Sequence, residues 1–205
     1  MSRVRTAVLI SGRGSNLSAL IEAAKAADYP AEIALVFSNR EDAPGLEVAR
    51  AAGIPTLAIS HKGFASREEF DAAIDTGLRE AGIELIAEAG FMRIHSEWFV
   101  TRWAGRMINI HPSLLPAFPG IRVHQQALDA GVKISGCTVH FMVPELDAGP
   151  IIAQAAVPVL PGDTAETLAA RILVEEHKLY PQALRDVAIQ LSLAPAGGEG
   201  RGEGV

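Results

Sequence analysis

The stretch TAVLISGRGSNLSALIEAA, Thr6 to Ala24, decides the fold of this chain. Its first five residues, Thr6 to Ile10, are a mostly apolar run that is typical of a buried strand. After the turn SGRG, apolar residues recur at the spacing of one helix face, at Leu17, Leu20 and Ile21. A strand, a glycine-containing turn and a helix in this order open a βαβ unit and predict a parallel sheet.

Strand-like and helical segments continue to alternate through the first half of the chain. Helical spacing is clear at Phe70, Ile74 and Leu78. The further predicted strands are Glu32–Phe37, Thr56–Ile59, Ile83–Ala89 and Met107–Ile110. We therefore expect an α/β fold with a Rossmann-like, mostly parallel sheet and flanking helices, whose ligand lies where the strand order reverses.

The C-terminal half follows a different pattern. Two strand-like runs, Ser135–Val143 and Ile151–Leu160, are joined by a short loop with Pro, Asp and Gly, which predicts an antiparallel pair. A cap at Asp163 or Thr164 is expected to start a long final helix that runs to about Gln190.

Composition narrows the range of functions. The chain has 205 residues, of which 49% are hydrophobic and 20% charged, so we expect one domain over residues 1–192 and a disordered, Gly-rich tail over 193–205. A net charge of −6 without a Lys/Arg-rich run argues against nucleic acid and against an anionic membrane surface as partners. One cysteine, Cys137, and no Cys/His set with zinc spacing indicate a reduced, cytoplasmic protein without a metal.

The glycine turn suits an anion. Backbone N–H groups at Gly14, Ser15 and Asn16 can face a phosphate at the start of the first helix. Leu17 stands where a dinucleotide fingerprint has its third glycine, and no ribose-binding acid follows the second strand, so NAD is disfavoured. No GK[ST] motif is present for ATP. The alternative is a plain turn capped by Asn or Ser.

A second motif, NIHPSLLPAFPG, spans Asn109 to Gly120. In an extended segment Asn109 and His111 point to one side, where an amide donor and an imidazole suit an oxyanion. The alternative is a polar strand end in which His111 packs on proline. The three prolines stiffen the loop that follows, and the base rate of about 5–6% makes a cis Leu115–Pro116 bond the less expected isomer.

A third motif, VPELDAGP, places Glu145 and Asp147 between the two late strands. A carboxylate beside His111 favours the imidazolium form and fixes the ring. The alternative is an ordinary Asp-Gly turn, because separation in sequence proves no contact.

Taken in order along the chain, several segments carry a resemblance to a known family: SGRGSNL, FSNR, AGFMRI, NIHPSLLP, His124, GCTVHF and ELDAGPII. Together they resemble the phosphoribosylglycinamide formyltransferases, folate-dependent enzymes of purine biosynthesis, over about residues 6 to 190. The resemblance implies the formyltransferase fold. It also implies transfer of a formyl group from 10-formyltetrahydrofolate, as cosubstrate, to the primary amine of glycinamide ribonucleotide, without metal or ATP.

The resemblance also implies site residues. Asn109 and protonated His111 stabilise a tetrahedral oxyanion, Asp147 assists and relays protons, and His124 and His140 have supporting roles. The residues implied for the phosphate and sugar of the ribonucleotide are Gly14, Ser15, Asn16 and Glu176. Those implied for the folate are Arg67, Met92, Arg93, Ile94, Asn109, Val143, Glu145, Leu146 and Asp147.

Three positions depart from the family pattern. Glu88 stands where an apolar residue is usual, and a buried carboxylate is costly unless it is paired. His95, after FMRI, is also untypical, and Arg13 occupies a variable loop position. These departures concern the rim of the folate site more than the reaction.

Three other functions share parts of this pattern. Formyltetrahydrofolate hydrolases carry the same three catalytic residues but have an additional N-terminal regulatory domain, for which a first strand at about Thr6 leaves no room. Methionyl-tRNA formyltransferases have a further C-terminal domain and bind tRNA, which the length and acidity of this chain argue against. A catalytically silent folate-binding module is the third alternative. The sequence leaves a monomer and a homodimer equally open.

Overall fold

The opening stretch forms the unit that it predicts. In the computed structural model, which describes residues 2–194, strand β1 spans Val4–Ile10 and helix α1 spans Ser15–Ala24. The other strands are β2 (Ala31–Ser38), β3 (Thr56–Ala58), β4 (Leu85–Glu88), β5 (Met107–His111), β6 (Ile134–Phe141) and β7 (Ile151–Pro158). The other helices are α2 (Pro44–Ala51), α3 (Arg67–Glu80), α4 (Glu97–Arg102), α5 (Val123–Asp129) and α6 (Ala165–Leu193).

All seven strands form one sheet in the order β3-β2-β1-β4-β5-β6-β7. Strands β1 to β5 pair in parallel, whereas β6 runs antiparallel to both β5 and β7. The predicted fold class is therefore confirmed. The strand order reverses at β1, which lies between β2 and β4, and the segments that follow β1 and β4 meet there through a bond from Ser11 N–H to the Gly90 carbonyl at 3.1 Å.

The central strands are buried on both faces. Along β1, Val8 and Ile10 pack in one apolar layer, and Ala7 and Leu9 pack in the other. Helices α1, α2 and α6 cover the first face, and α3 and α4 cover the second. Because both faces are covered, these strands are continuous apolar runs rather than alternating ones. No helix among residues 2–194 is long and apolar enough to cross a bilayer.

The final helix differs slightly from the prediction. Its cap is Thr164, whose side chain accepts a hydrogen bond from Thr167 N–H, while the alternative cap Asp163 pairs instead with Arg171. The helix ends at Leu193, three residues beyond the expected end, so the predicted domain boundary after residue 192 falls inside its last turn. The predicted disorder of the tail from residue 195 onward lies outside the described residues.

Three short helices were not predicted. Helices α2, α4 and α5 have eight, six and seven residues. About two turns carry too few apolar positions to define a period, so packing against the sheet decides their formation.

Candidate active site

The end of β5 carries the first part of the site. Asn109 lies directly opposite His140 of β6 in the antiparallel register. His140 Nδ1 donates to the Phe141 carbonyl at 2.9 Å, so its Nε2 is the acceptor that faces Asn109 Nδ2 at 3.3 Å. Burial lowers the pKa of His140, which favours this neutral ring. His140 therefore orients the amide of Asn109, whose nitrogen remains a donor at every pH.

His111 lies two residues further along β5 and is buried. Its Nε2 donates to the Phe118 carbonyl at 3.0 Å, which leaves Nδ1 facing Asp147 Oδ2 at 3.6 Å. Asp147 Oδ1 lies 3.9 Å from His140 Nε2, and Asp147 Oδ2 accepts the Gly120 N–H at 2.8 Å. The carboxylate thus lies between two imidazoles.

The proline-rich loop after β5 is tied to β6. Thr138 Oγ1 donates to the Ser113 carbonyl at 2.7 Å and accepts the Leu115 N–H at 3.0 Å. Ser113 Oγ donates to the Ala117 carbonyl at 2.6 Å. The Leu115–Pro116 bond is cis, contrary to the base-rate expectation. The hydrogen bonds of Thr138 and Ser113 hold in place the loop whose Phe118 carbonyl accepts the His111 hydrogen bond.

Asp147 lies in the β6–β7 loop, residues 142–150, whose backbone conformation is tightly constrained. Asp147 has φ 53°, a left-handed conformation that Asp tolerates better than most residues. A Cβ on Gly149 would lie 1.7 Å from the Phe141 carbonyl oxygen, so only glycine fits there. Phe141 N–H donates to the Pro150 carbonyl at 2.9 Å and closes the base of the loop. The loop therefore folds back to β5 in one defined path.

The glycine loop, residues 11–14, leads into the N-terminus of α1. Gly14 is the N-cap residue at φ 76°, and no side chain caps the helix, unlike the plain capped turn that was the alternative. The first amides of α1 are therefore available to an anion.

A buried amide–carboxylate pair lies beside this helix end. Asn16 Nδ2 donates to Glu176 Oε2 at 2.7 Å, whereas Asn16 Oδ1 is buried without a hydrogen-bond partner. Burial raises the pKa of Glu176, which the Asn16 hydrogen bond opposes. An unpartnered buried acceptor is costly, so Asn16 Oδ1 is suited to a donor group of a ligand.

The β4–α4 loop, residues 89–96, presents apolar side chains to solvent. Met92 and Ile94 are 74% and 59% exposed. Met92 N–H donates to Ser11 Oγ at 2.7 Å, and Ser11 Oγ donates to Asn39 Oδ1 at 2.6 Å. These links were not predicted, although Ser11 and Asn39 belong to the SGRG and FSNR segments that carry the resemblance. They connect the glycine loop to the β4–α4 loop.

Several predicted site residues are not part of the hydrogen-bonded cluster around His111 in the described part of the chain. Arg67 and Arg93 are exposed, and within residues 2–194 no hydrogen bond or ion pair joins either to the cluster around His111. Glu145 and Leu146 are exposed in the β6–β7 loop, where Val143 is half-buried. Their predicted ligand contacts remain predictions.

His124 is half-buried in α5. Burial lowers its pKa, and the charge of nearby His111 lowers it further. In the described part of the chain, no three His, Cys, Asp or Glu side chains are grouped to hold a metal ion.

Comparisons with known proteins identify the family. A formyl transferase family profile matches residues 4–184. The chain is 54% identical over 187 residues to the trifunctional purine biosynthetic protein adenosine-3 of Gallus gallus, which covers 91% of this chain and 19% of that protein. It is 48% identical over 174 residues to phosphoribosylglycinamide formyltransferase of Escherichia coli, which covers 85% of this chain and 82% of that protein. The chain thus spans about a fifth of the trifunctional relative.

A solved structure agrees with these matches. The crystal structure of phosphoribosylglycinamide formyltransferase from Brucella melitensis has a TM-score of 0.87 and 55% identity, and the match covers 91% of this chain and 96% of that one. The resemblance predicted from the motifs is confirmed, and the chain belongs to the formyl transferase family.

Proposed function

We propose that this chain transfers the formyl group of 10-formyltetrahydrofolate to the primary amine of glycinamide ribonucleotide, a step of purine biosynthesis. The observation that carries the proposal is the cluster of Asn109, His111 and Asp147, which β5 and the β6–β7 loop bring together. Family membership and the relative named phosphoribosylglycinamide formyltransferase, of which the match covers 82%, support the choice of substrates.

The proposed reaction is an acyl transfer without a covalent enzyme intermediate. The amine nitrogen attacks the formyl carbon, a new C–N bond forms, and the formyl oxygen becomes an oxyanion. Asn109 Nδ2 and the Nδ1–H of protonated His111, which at 3.6 Å is too far from Asp147 to be held in a hydrogen bond, donate hydrogen bonds to this oxygen. The bond from carbon to N10 of the folate then breaks, and the proton lost by the amine reaches N10 through Asp147. Neither a metal nor ATP takes part.

The two substrates would approach from different sides. The phosphate binds the free amides at Gly14, Ser15 and Asn16, because a helix N-terminus favours an anion. Asn16 Oδ1 and Glu176 then accept hydrogen bonds from the sugar or the glycinamide part, which supplies the partner that the buried Asn16 oxygen lacks.

The folate would lie between the two loops that flank β5. The β4–α4 loop presents Met92, Arg93 and Ile94, and the β6–β7 loop presents Val143 to Asp147. Apolar side chains and main-chain donors suit a planar pterin ring. We also propose that the enzyme is cytoplasmic and that its partners are small molecules only. It acts as a monomer or a homodimer.

The test is to follow loss of the formyl group from 10-formyltetrahydrofolate with and without glycinamide ribonucleotide. We expect loss only when the ribonucleotide is present. Equal loss in both mixtures would instead identify a formyltetrahydrofolate hydrolase. Binding of the folate without any loss would identify a silent binding module.

A further inference from the structure

Two of the departures from the family pattern, Glu88 just before the β4–α4 loop and His95 near its end, contact each other. His95 Nε2 lies 2.7 Å from Glu88 Oε1, and His95 Nδ1 lies 2.8 Å from Asp71 Oδ1. All three side chains are buried. An imidazole that contacts a carboxylate through each nitrogen is a donor at both, which requires the imidazolium form. Asp71, His95 and Glu88 form what we call the imidazolium cluster.

The imidazolium cluster closes the β4–α4 loop. The His95 ring stacks between Phe91, at 5.1 Å between ring centroids, and Phe99, at 4.4 Å. Asp71 Oδ2 also accepts the Ser96 N–H at 2.5 Å, at the cap of α4. Because residues 91 and 95 stack on one another, the three residues between them are directed outward.

The other end of the loop is anchored independently. Gly90 and Met92 bind Ser11, as described above, and the Glu88 carbonyl accepts the Tyr180 hydroxyl at 2.8 Å. Glu88 also lies beside Asn109 in the sheet register. The imidazolium cluster therefore couples helix α3, the folate-facing loop and the strand next to the catalytic amide.

A buried ionic cluster is a poor source of stability, because desolvation of the charges offsets much of their attraction. The cluster instead fixes a conformation, because its three charged side chains can make all of their mutual hydrogen bonds in only one arrangement. We propose that Asp71, His95 and Glu88 are positioning residues that hold Met92, Arg93 and Ile94 in the conformation that receives the folate. This inference rests on the proposed function, and it assigns a role to the two departures from the family pattern.

The test compares His95→Gln and Glu88→Gln with a matched control, Asp75→Asn. Asp75 is also buried on α3, one turn beyond Asp71, and it also binds α4, through Arg102 and Trp103. It makes no hydrogen bond to the β4–α4 loop. The control therefore reports the general cost of weakening the contact between α3 and α4.

We expect both test variants to raise KM for 10-formyltetrahydrofolate about tenfold, because displaced contact groups bind poorly. KM for the ribonucleotide and kcat at saturation should change by no more than about twofold, because that site is not displaced. The dissociation constant of tetrahydrofolate, measured by calorimetry, should follow the folate KM. Asp75→Asn should leave the folate KM near the wild-type value.

Two results would overturn the inference: an unchanged folate KM in both test variants, or an equal increase in Asp75→Asn. The calorimetric measurement separates this inference from the proposed function. If the wild type binds tetrahydrofolate but forms no product, the proposed function fails, and the tetrahydrofolate affinities of the variants still decide whether the cluster positions the loop.

Discussion

Asn109 and His111 are expected to act on the transition state rather than on substrate binding. Asn109→Ala and His111→Ala should each lower kcat about 10²-fold, because each removes one donor to the developing oxyanion. Folate affinity should stay within a few-fold of the wild type. Steady-state kinetics and calorimetry measure the two effects separately.

Asn39→Ala serves as the control for these variants, because Asn39 contacts Ser11 and not the reacting groups. Its kcat at saturation should exceed that of either catalytic variant. Near-normal turnover in Asn109→Ala or His111→Ala would remove that residue from the mechanism.

Asp147→Asn isolates the charge of the carboxylate. Asn tolerates the left-handed φ of 53° and can still accept the Gly120 N–H, so the loop should keep its path. Loss of the charge should lower kcat at least about tenfold, because proton relay by a positioned group contributes that much or more. Stopped-flow measurement of formyl transfer tests this, and a wild-type rate would show that the carboxylate takes no part.

The sequence predicts some residue contacts and not others. The period of two along a strand places Asn109 and His111 on one side, so their proximity follows from β5 alone. Asp147 reaches His111 only because its loop folds back, which depends on Gly149 and on a left-handed backbone. The contact of Asn16 with Glu176 joins residues 160 apart in sequence and was not predicted, although the resemblance implied that both bind the ribonucleotide.

At the scale of the element, the imidazolium cluster makes stability depend on pH. Burial alone would lower the pKa of His95, but the carboxylates of Glu88 and Asp71 outweigh it and raise the pKa to about 9. The ordinary value of 6.5 applies to the unfolded chain. Relative to the neutral ring, protonated His95 therefore stabilises the fold fully below about pH 6.5, and this contribution is lost as the pH rises through about 9.

The excess stability of the wild type over His95→Gln should accordingly be larger at pH 6 than at pH 9.5. Urea unfolding at both pH values measures the difference in free energy of unfolding. The difference between wild type and Asp75→Asn should change less over the same range, because no histidine within residues 2–194 binds Asp75. A difference for His95→Gln that is constant with pH would show that His95 does not bind a proton in this range.

Secondary-structure elements were predictable where their pattern of apolar and turn residues extended over many positions. Strands β6 and β7 and helix α6 each cover at least eight residues, and their type and pairing follow from turn residues and spacing. Helices α4 and α5 are set by tertiary contacts instead. The ring of His95 packs on Phe99 of α4, a contact that no local pattern contains.

At the scale of the whole molecule, the ribonucleotide would bridge the first helix of the chain, α1, and the last, α6. Its proposed site lies between α1 and α6, so binding should stabilise the whole domain. At about 100 times its dissociation constant the gain is about 2.7 kcal/mol, which corresponds to about 5 to 10 °C in Tm for a chain of this size.

Asn16→Ala at the same ribonucleotide concentration should show a smaller increase in Tm, because it lacks the amide that contacts Glu176 and the ligand. Differential scanning calorimetry compares the two proteins. An equal increase in both would place the ribonucleotide elsewhere.

The parallel α/β architecture followed from the alternation of strands and helices, because parallel strands need crossover connections, which are usually helices. The strand order itself could not be derived from the sequence. It depends on which buried strand edges pair, and β1 to β5 are similarly apolar.

Transfer of the formyl carbon to the ribonucleotide is the central claim, and isotope labelling tests it most directly. The protein is mixed with 10-formyltetrahydrofolate labelled with ¹³C in the formyl group and with glycinamide ribonucleotide, and the products are identified by mass spectrometry. The account predicts the label on the former amine nitrogen of the ribonucleotide. Label found only in free formate would contradict it.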